Sequence, residues 1–173
     1  LIIMLILFTI SEIICAQNSK NRTSFSNTFL GSSGDHGQLS PGASYPFGII
    51  DIAPQTYPNA HTGYDYKAKK VLGFTHNRME GVGCMGSGGN LLIKPFIGVD
   101  PSKCELVKIS EKGGPGYYQI NLSNGIRAAF AVTTKAAIEN YYFPLGKHGF
   151  LIDLSYSLAN GFITEQHDVL NNE

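Results

Sequence analysis

The sequence predicts an all-β protein, an antiparallel β-sandwich, and three observations carry that expectation. Short apolar runs recur between turn residues along the middle of the chain. One pair of runs alternates cleanly around an Asn-Gly turn. No stretch sustains the 3.6-residue periodicity of a helix. Composition agrees. Only 15% of the 173 residues are charged, while 20 are glycine and 9 are tyrosine. That balance suits a β-rich extracellular protein better than a helical cytosolic one.

The elements follow in order. Phe47 to Ile52 is an apolar run that Pro54 ends, and Val71 to Thr75 is the next. Leu91-Leu92-Ile93 stops at Pro95, because proline cannot donate to a strand ladder. Leu106 to Ile109 alternates weakly, and Gly113-Gly114-Pro115-Gly116 makes a turn. Beyond it Tyr118, Ile120 and Leu122 share one face, opposite Tyr117, Gln119 and Asn121. Asn124-Gly125 signals a two-residue hairpin. The returning strand sets Ile126, Ala128, Phe130 and Val132 on one face. Ala136 to Phe143 and Phe150 to Leu154 complete the set, and residues 76–82 allow one helical turn at most.

The two ends differ from the middle. Residues 1–14 are almost wholly apolar, too short to span a bilayer but suited to the core of a signal peptide cleaved after Ala16. The positive N-terminal region is absent and the first residue is Leu1, so the segment reads as an N-terminally truncated signal over 1–16. A lipoprotein signal acylated at Cys15 is the rival, disfavoured because Ile14 is not small. Residues 17–28 read as a polar linker, 29–160 as the domain, and 161–173 as the start of a further element. The expected location is secreted, periplasmic or cell-surface. Removal of the signal leaves Cys84 and Cys104, either paired in an oxidising compartment or present as two buried thiols, with the thiols favoured.

Charge excludes some classes. Thirteen basic and thirteen acidic residues cancel, and no basic stripe exists, so a nucleic-acid partner is not expected. No stable membrane span and no zinc-type Cys or His spacing is present. Gly86-Ser87-Gly88-Gly89 lacks the Gly-Lys-Ser/Thr ending of a phosphate-binding loop.

Polar side chains gather beside glycines in three segments. These are Gly34-Asp35-His36-Gly37-Gln38, Gly63-Tyr64-Asp65-Tyr66, and Gly73-Phe74-Thr75-His76-Asn77-Arg78-Met79-Glu80-Gly81. Glycines let the backbone approach a ligand closely. Asp, His, Asn, Gln and Arg pair with sugar hydroxyls, and Tyr and Phe offer faces to a sugar ring. Each segment alone also has a plain structural explanation: a satisfied buried histidine, a solvated Arg78–Glu80 pair, or tyrosines at a strand edge.

Taken together and in order, these motifs resemble the N-terminal domain of glycoside hydrolase family 92. The resemblance rests on Phe29-Leu30-Gly31, Asp35-His36-Gly37, Pro41-Gly42-Ala43, Pro46-Phe47-Gly48, Gly63-Tyr64-x-Tyr66, Gly73-Phe74-Thr75-His76 and Gly81-x-Gly83-Cys84, with Pro115-Gly116-Tyr117-Tyr118 and Tyr142-Phe143-Pro144 later. It runs from about Phe29 to about Leu154. It implies a galactose mutarotase-like supersandwich joined to an (α/α)6 barrel, as in inverting, calcium-dependent exo-α-mannosidases. The barrel, absent from this chain, supplies the acid and base, so no catalytic residue is assigned here. The implied partners are a mannose-containing glycan and that catalytic domain in cis. The resemblance further implies that His36, Gln38, Tyr64, Asp65, His76 and Arg78 line the sugar cleft, with calcium ligands elsewhere. Gln38 in place of a second histidine, Asp65 between the tyrosines and the absence of Trp leave linkage specificity open.

Inverting hydrolysis needs two carboxyls roughly 6.5–9.5 Å apart. Among Asp35, Asp51, Asp65, Glu80 and Asp153, the pair Asp35 and Asp65 is the one set on candidate loops, and turn capping or hydroxyl binding is its simpler role. Two other functions compete with the half-enzyme: a stand-alone carbohydrate-binding module and a structural surface domain.

Overall fold

The computed structural model describes residues 22–33, 39–56, 62–78, 88–158 and 163–166. Within them nine strands form two antiparallel sheets, as the fold class requires. β1 (Ala53–Gln55), β3 (Gly73–Thr75), β4 (Leu92–Ile97) and β9 (His148–Asp153) lie in the order β1-β3-β4-β9. β2 (Lys70–Val71), β5 (Leu106–Gly114), β6 (Tyr117–Leu122), β7 (Arg127–Val132) and β8 (Ala137–Tyr142) lie in the order β2-β5-β6-β7-β8. Arg22–Phe25 and Pro101–Lys103 are single 3-10 turns.

The core follows from the alternation in β6 and β7. Tyr118, Ile120 and Leu122 point inward from one strand, Ala128, Phe130 and Val132 from the next, all buried. Phe130 carries the contact between sheets. Its ring meets Phe74 of β3 edge-on at 4.8 Å and stacks on Tyr118 at 6.1 Å. Burying such a side chain contributes about 1.5–3 kcal/mol. Tyr141 continues the aromatic row from Phe130 at 5.7 Å to Phe150 of β9 at 4.9 Å.

Several boundaries differ from the sequence expectation, each for a physical reason. Neither proline ends its strand. Pro54 sits inside β1, which is an edge strand, so its missing N–H costs no ladder bond. Pro95 sits inside β4, beyond Ile93, where β3 no longer pairs and only the β9 side is occupied. The run Val71 to Thr75 is two strands in different sheets, with the crossing at Leu72. The weak alternation after Leu106 is a β-bulge between Lys108 and Ser110 in a strand that continues to Gly114. The β6–β7 turn has three residues rather than two. Gly125 donates to the Leu122 carbonyl at 3.0 Å and takes φ 85°, the bulge position of a type I hairpin, while Asn124 keeps a negative φ.

Candidate functional site

Buried polar groups gather where β1 and β3 end. Gln55 and Thr75 are fully buried, and Thr56 and Thr62 nearly so. A buried polar group without a partner costs about 1–3 kcal/mol, so this seam has to be satisfied internally. Arg78, beside an isolated bridge to Gly88, supplies most of the donors. Its Nε donates to Thr75 Oγ1 at 3.0 Å. Its Nη2 donates to the Pro54 carbonyl and Gln55 Oε1, both at 2.9 Å, and its Nη1 to the Thr62 carbonyl. A rigid guanidinium fork spans three chain segments in a way that a point-charge ammonium does not. Gly63 passes directly over this seam at φ 73°, and a Cβ there would run into the Gln55 amide.

His76 directly follows β3 and ties the two sheets together. Its Nδ1 lies 2.8 Å from the Leu91 carbonyl and its Nε2 2.5 Å from Glu139 Oε1 on β8. A carbonyl and an ionised carboxylate both accept, so this geometry favours the doubly protonated ring, which donates from both nitrogens. Burial alone would lower its pKa. The hydrogen bonds to Glu139 and Leu91 outweigh burial and hold it above the ordinary value. Burial would likewise raise Glu139, but His76 and the Tyr141 hydroxyl, which donates at 2.6 Å, hold it below. Leu91 reaches this arrangement at φ 55°, a left-handed conformation that costs a side-chain-bearing residue about 1–2 kcal/mol. Backbone strain of this kind is characteristic of positions that the surrounding structure holds for a purpose.

Tyr64 turns the other way. It is 2% exposed, and its hydroxyl donates to Glu111 Oε2 at 2.9 Å. The Tyr118 hydroxyl donates to the same carboxylate at 2.5 Å, and Lys108 pairs with it at 2.5 Å. Burial first, then the Glu111 charge, drives the Tyr64 phenol far above its ordinary pKa, so it stays a donor. Its ring is thus packed inside the sandwich, with the Lys108 ammonium 4.9 Å from the ring centroid. Asp65 is half-buried in a turn, where its Oδ1 accepts from the Lys67 N–H at 2.9 Å.

The structure therefore anchors three of the predicted residues: Arg78 to β1 and the 62–63 loop, His76 to β8, and Tyr64 to β5. His36, Gln38, Asp35, Glu80 and Cys84 lie outside the described residues. Cys104 is a buried free thiol. Asp153 closes β9, accepting from the Ser155 N–H at 3.0 Å, and Asp51 donates its N–H to the His76 carbonyl.

Two carboxylates went unnoticed in the sequence. Glu139 shares the core-facing parity of Tyr141 and Phe143, and an inward carboxylate calls for a buried partner. Glu111 lies just past the bulge, where alternation is lost. Among the described residues no group of three or more His, Cys, Asp or Glu is placed to hold a metal. No helix among them is long and apolar enough to cross a membrane.

An antiparallel sandwich whose polar groups collect at the ends of two short strands defines a β-sandwich domain with a loop-lined polar site. The sequence profile of the glycosyl hydrolase family 92 N-terminal domain matches residues 25–172, and the chain belongs to that family. It is 34% identical over 120 residues to an uncharacterised secreted glycosidase of Arthroderma benhamiae, a match covering 62% of this chain and 16% of that protein. It is similar to the solved structure of the family GH92 glycosyl hydrolase CcMan5, at 30% identity and TM-score 0.70, over 78% of this chain and 20% of that one. It is also similar to a family GH92 α-mannosidase of Bacteroides thetaiotaomicron, at 26% identity and TM-score 0.73, over 82% and 21%. The chain thus spans about a fifth or less of the length of these relatives.

Proposed function

We propose that this chain forms one wall of the sugar cleft of a secreted exo-α-mannosidase acting on α-linked mannosides of glycans. The observation that supports this most is the family match over residues 25–172, joined to a likeness to an α-mannosidase of which this chain covers 21%. In this proposal the acid and base of an inverting reaction come from a catalytic domain in cis, and calcium is held by residues outside those described.

The residues divide by role. His36, Gln38 and Asp65 contact the sugar. Arg78 and His76 are positioning residues: one ties the 62–63 loop to β1 and the other ties the end of β3 to β8. Tyr64 supports the same loop from inside. A cleft wall held this firmly lowers the cost of ordering loops when sugar binds.

The test is release of mannose from α1,2-, α1,3- and α1,6-linked mannobioses by the longer protein carrying this chain, with the anomer of the product read by NMR. β-Mannose, the inverted product, supports the proposal. A folded protein that releases no mannose overturns it.

A further inference from the structure

The outer face of the five-stranded sheet carries chemistry that neither the core nor the proposed cleft uses. Its rows follow from the register. Gln119, Ala129 and Asn140 lie side by side across β6, β7 and β8, and Asn121, Arg127 and Tyr142 form the next row. Between the long side chains of β6 and β8, strand β7 turns only Ala129 and Ala131 outward from its middle and end. Alanine is a poor strand former, and its small side chain leaves a depression along β7. The depression measures about 360 Å³ and is bounded by Gln119, Arg127, Ala129, Asn140 and Tyr142.

The lining is unlike an ordinary solvated sheet face. Arg127 sits over the Tyr142 ring, its Cζ 4.2 Å from the ring centroid, which holds the guanidinium at the rim. Gln119, which lines the depression, has its Oε1 held by the Tyr117 hydroxyl at 2.7 Å, and its NH2 group remains as a donor. No hydrogen bond occupies the Arg127 or Asn140 side chains among the described residues. No carboxylate points outward from β6, β7 or β8, so a cationic ligand finds no counter-charge. What remains is an apolar floor, an aromatic wall and oriented amide and guanidinium groups, which match the C–H face and adjacent hydroxyl pairs of a pyranose.

We propose that this trough binds an oligosaccharide chain, a second glycan contact on the same domain; the choice of ligand class rests on the glycan-directed role proposed above. The chain of 173 residues is run by affinity electrophoresis through gels containing yeast mannan. Mannan retards it, and both Ala129→Phe, which fills the depression, and Asn140→Ala weaken retention by about fivefold or more. Both positions are off the core, so the thermal midpoint confirms that each variant is folded. Lys103→Ala, on an exposed turn outside both the trough and the cleft, leaves retention unchanged. No retardation of the native chain, or equal retention of Ala129→Phe, overturns the trough. Retention lost in His76→Gln and kept in Ala129→Phe also overturns it, while leaving the cleft proposal standing. Failure of the longer protein to release mannose leaves this binding result untouched.

Discussion

The two sheets are made by one chain but held together differently. The five-stranded sheet has strands of six to nine residues at β5 to β8, and β6 and β7 bury every second side chain. Its stability comes from apolar burial. The four-stranded sheet begins with two three-residue strands and ends on β9, where Phe150, Leu151 and Ile152 are each more than two-fifths exposed. Burial contributes less there. Hydrogen bonds from Arg78 and His76 hold its short strands, and those bonds converge on the loops of the candidate site. The lesson is that the region nearest the proposed function is the one least secured by its hydrophobic pattern.

Substitution of the same kind in both sheets breaks or sharpens this contrast. Phe130→Ala removes a fully buried ring and is expected to cost about 3–5 kcal/mol, whereas Ile152→Ala on β9 stays within about 0.5 kcal/mol. Urea unfolding of the two variants measures this, and equal losses would erase the contrast. Arg78→Ala comes next. It strands the Thr62 and Pro54 carbonyls and the Gln55 amide, a loss of about 3 kcal/mol that Arg78→Lys recovers only in part. Full recovery by lysine would reduce the fork to a simple charge.

The smallest effect is pH-dependent. His76 titrates above its ordinary 6.5, so its contribution is complete below that value and fades as pH rises through the raised pKa. Glu139 titrates below its ordinary 4.5, so its contribution is complete above that value and fades as pH falls through the lowered pKa. The clamp is therefore fullest between about pH 4.5 and 6.5, where His76→Gln costs about 1 kcal/mol. Thermal midpoints taken across pH 4 to 9 on native and variant chains (roughly the span of both titrations) should converge on the alkaline side. A gap that stays constant would deny the imidazolium.

The same contrast explains what the sequence made legible. β6 and β7 were readable because alternation, turn chemistry and burial agree at Tyr118 to Val132. β1 and β3 were not. Pro54 looks like a terminator unless the strand is known to be an edge, and nothing in Val71 to Thr75 announces a change of sheet at Leu72. For the site, density of polar residues beside glycine pointed to His76, Arg78, Tyr64 and Asp65. Their attachments stayed hidden, because half of the Arg78 bonds go to backbone carbonyls, which leave no trace in residue identity. Tyr64 shows the limit of spacing arguments. Period two put it beside Tyr66, but only the fold shows that one ring is buried and the other is 53% exposed.

The account stands most directly on where the acid and base reside. α1,2-, α1,3- and α1,6-linked mannobioses are incubated with residues 17–173 and, separately, with the longer protein. The account predicts mannose release by the longer protein and none above background by residues 17–173, because removing a catalytic carboxylate costs orders of magnitude in rate. Turnover by residues 17–173 that disappears in Asp65→Asn would contradict it, since the chemistry would then reside in this domain.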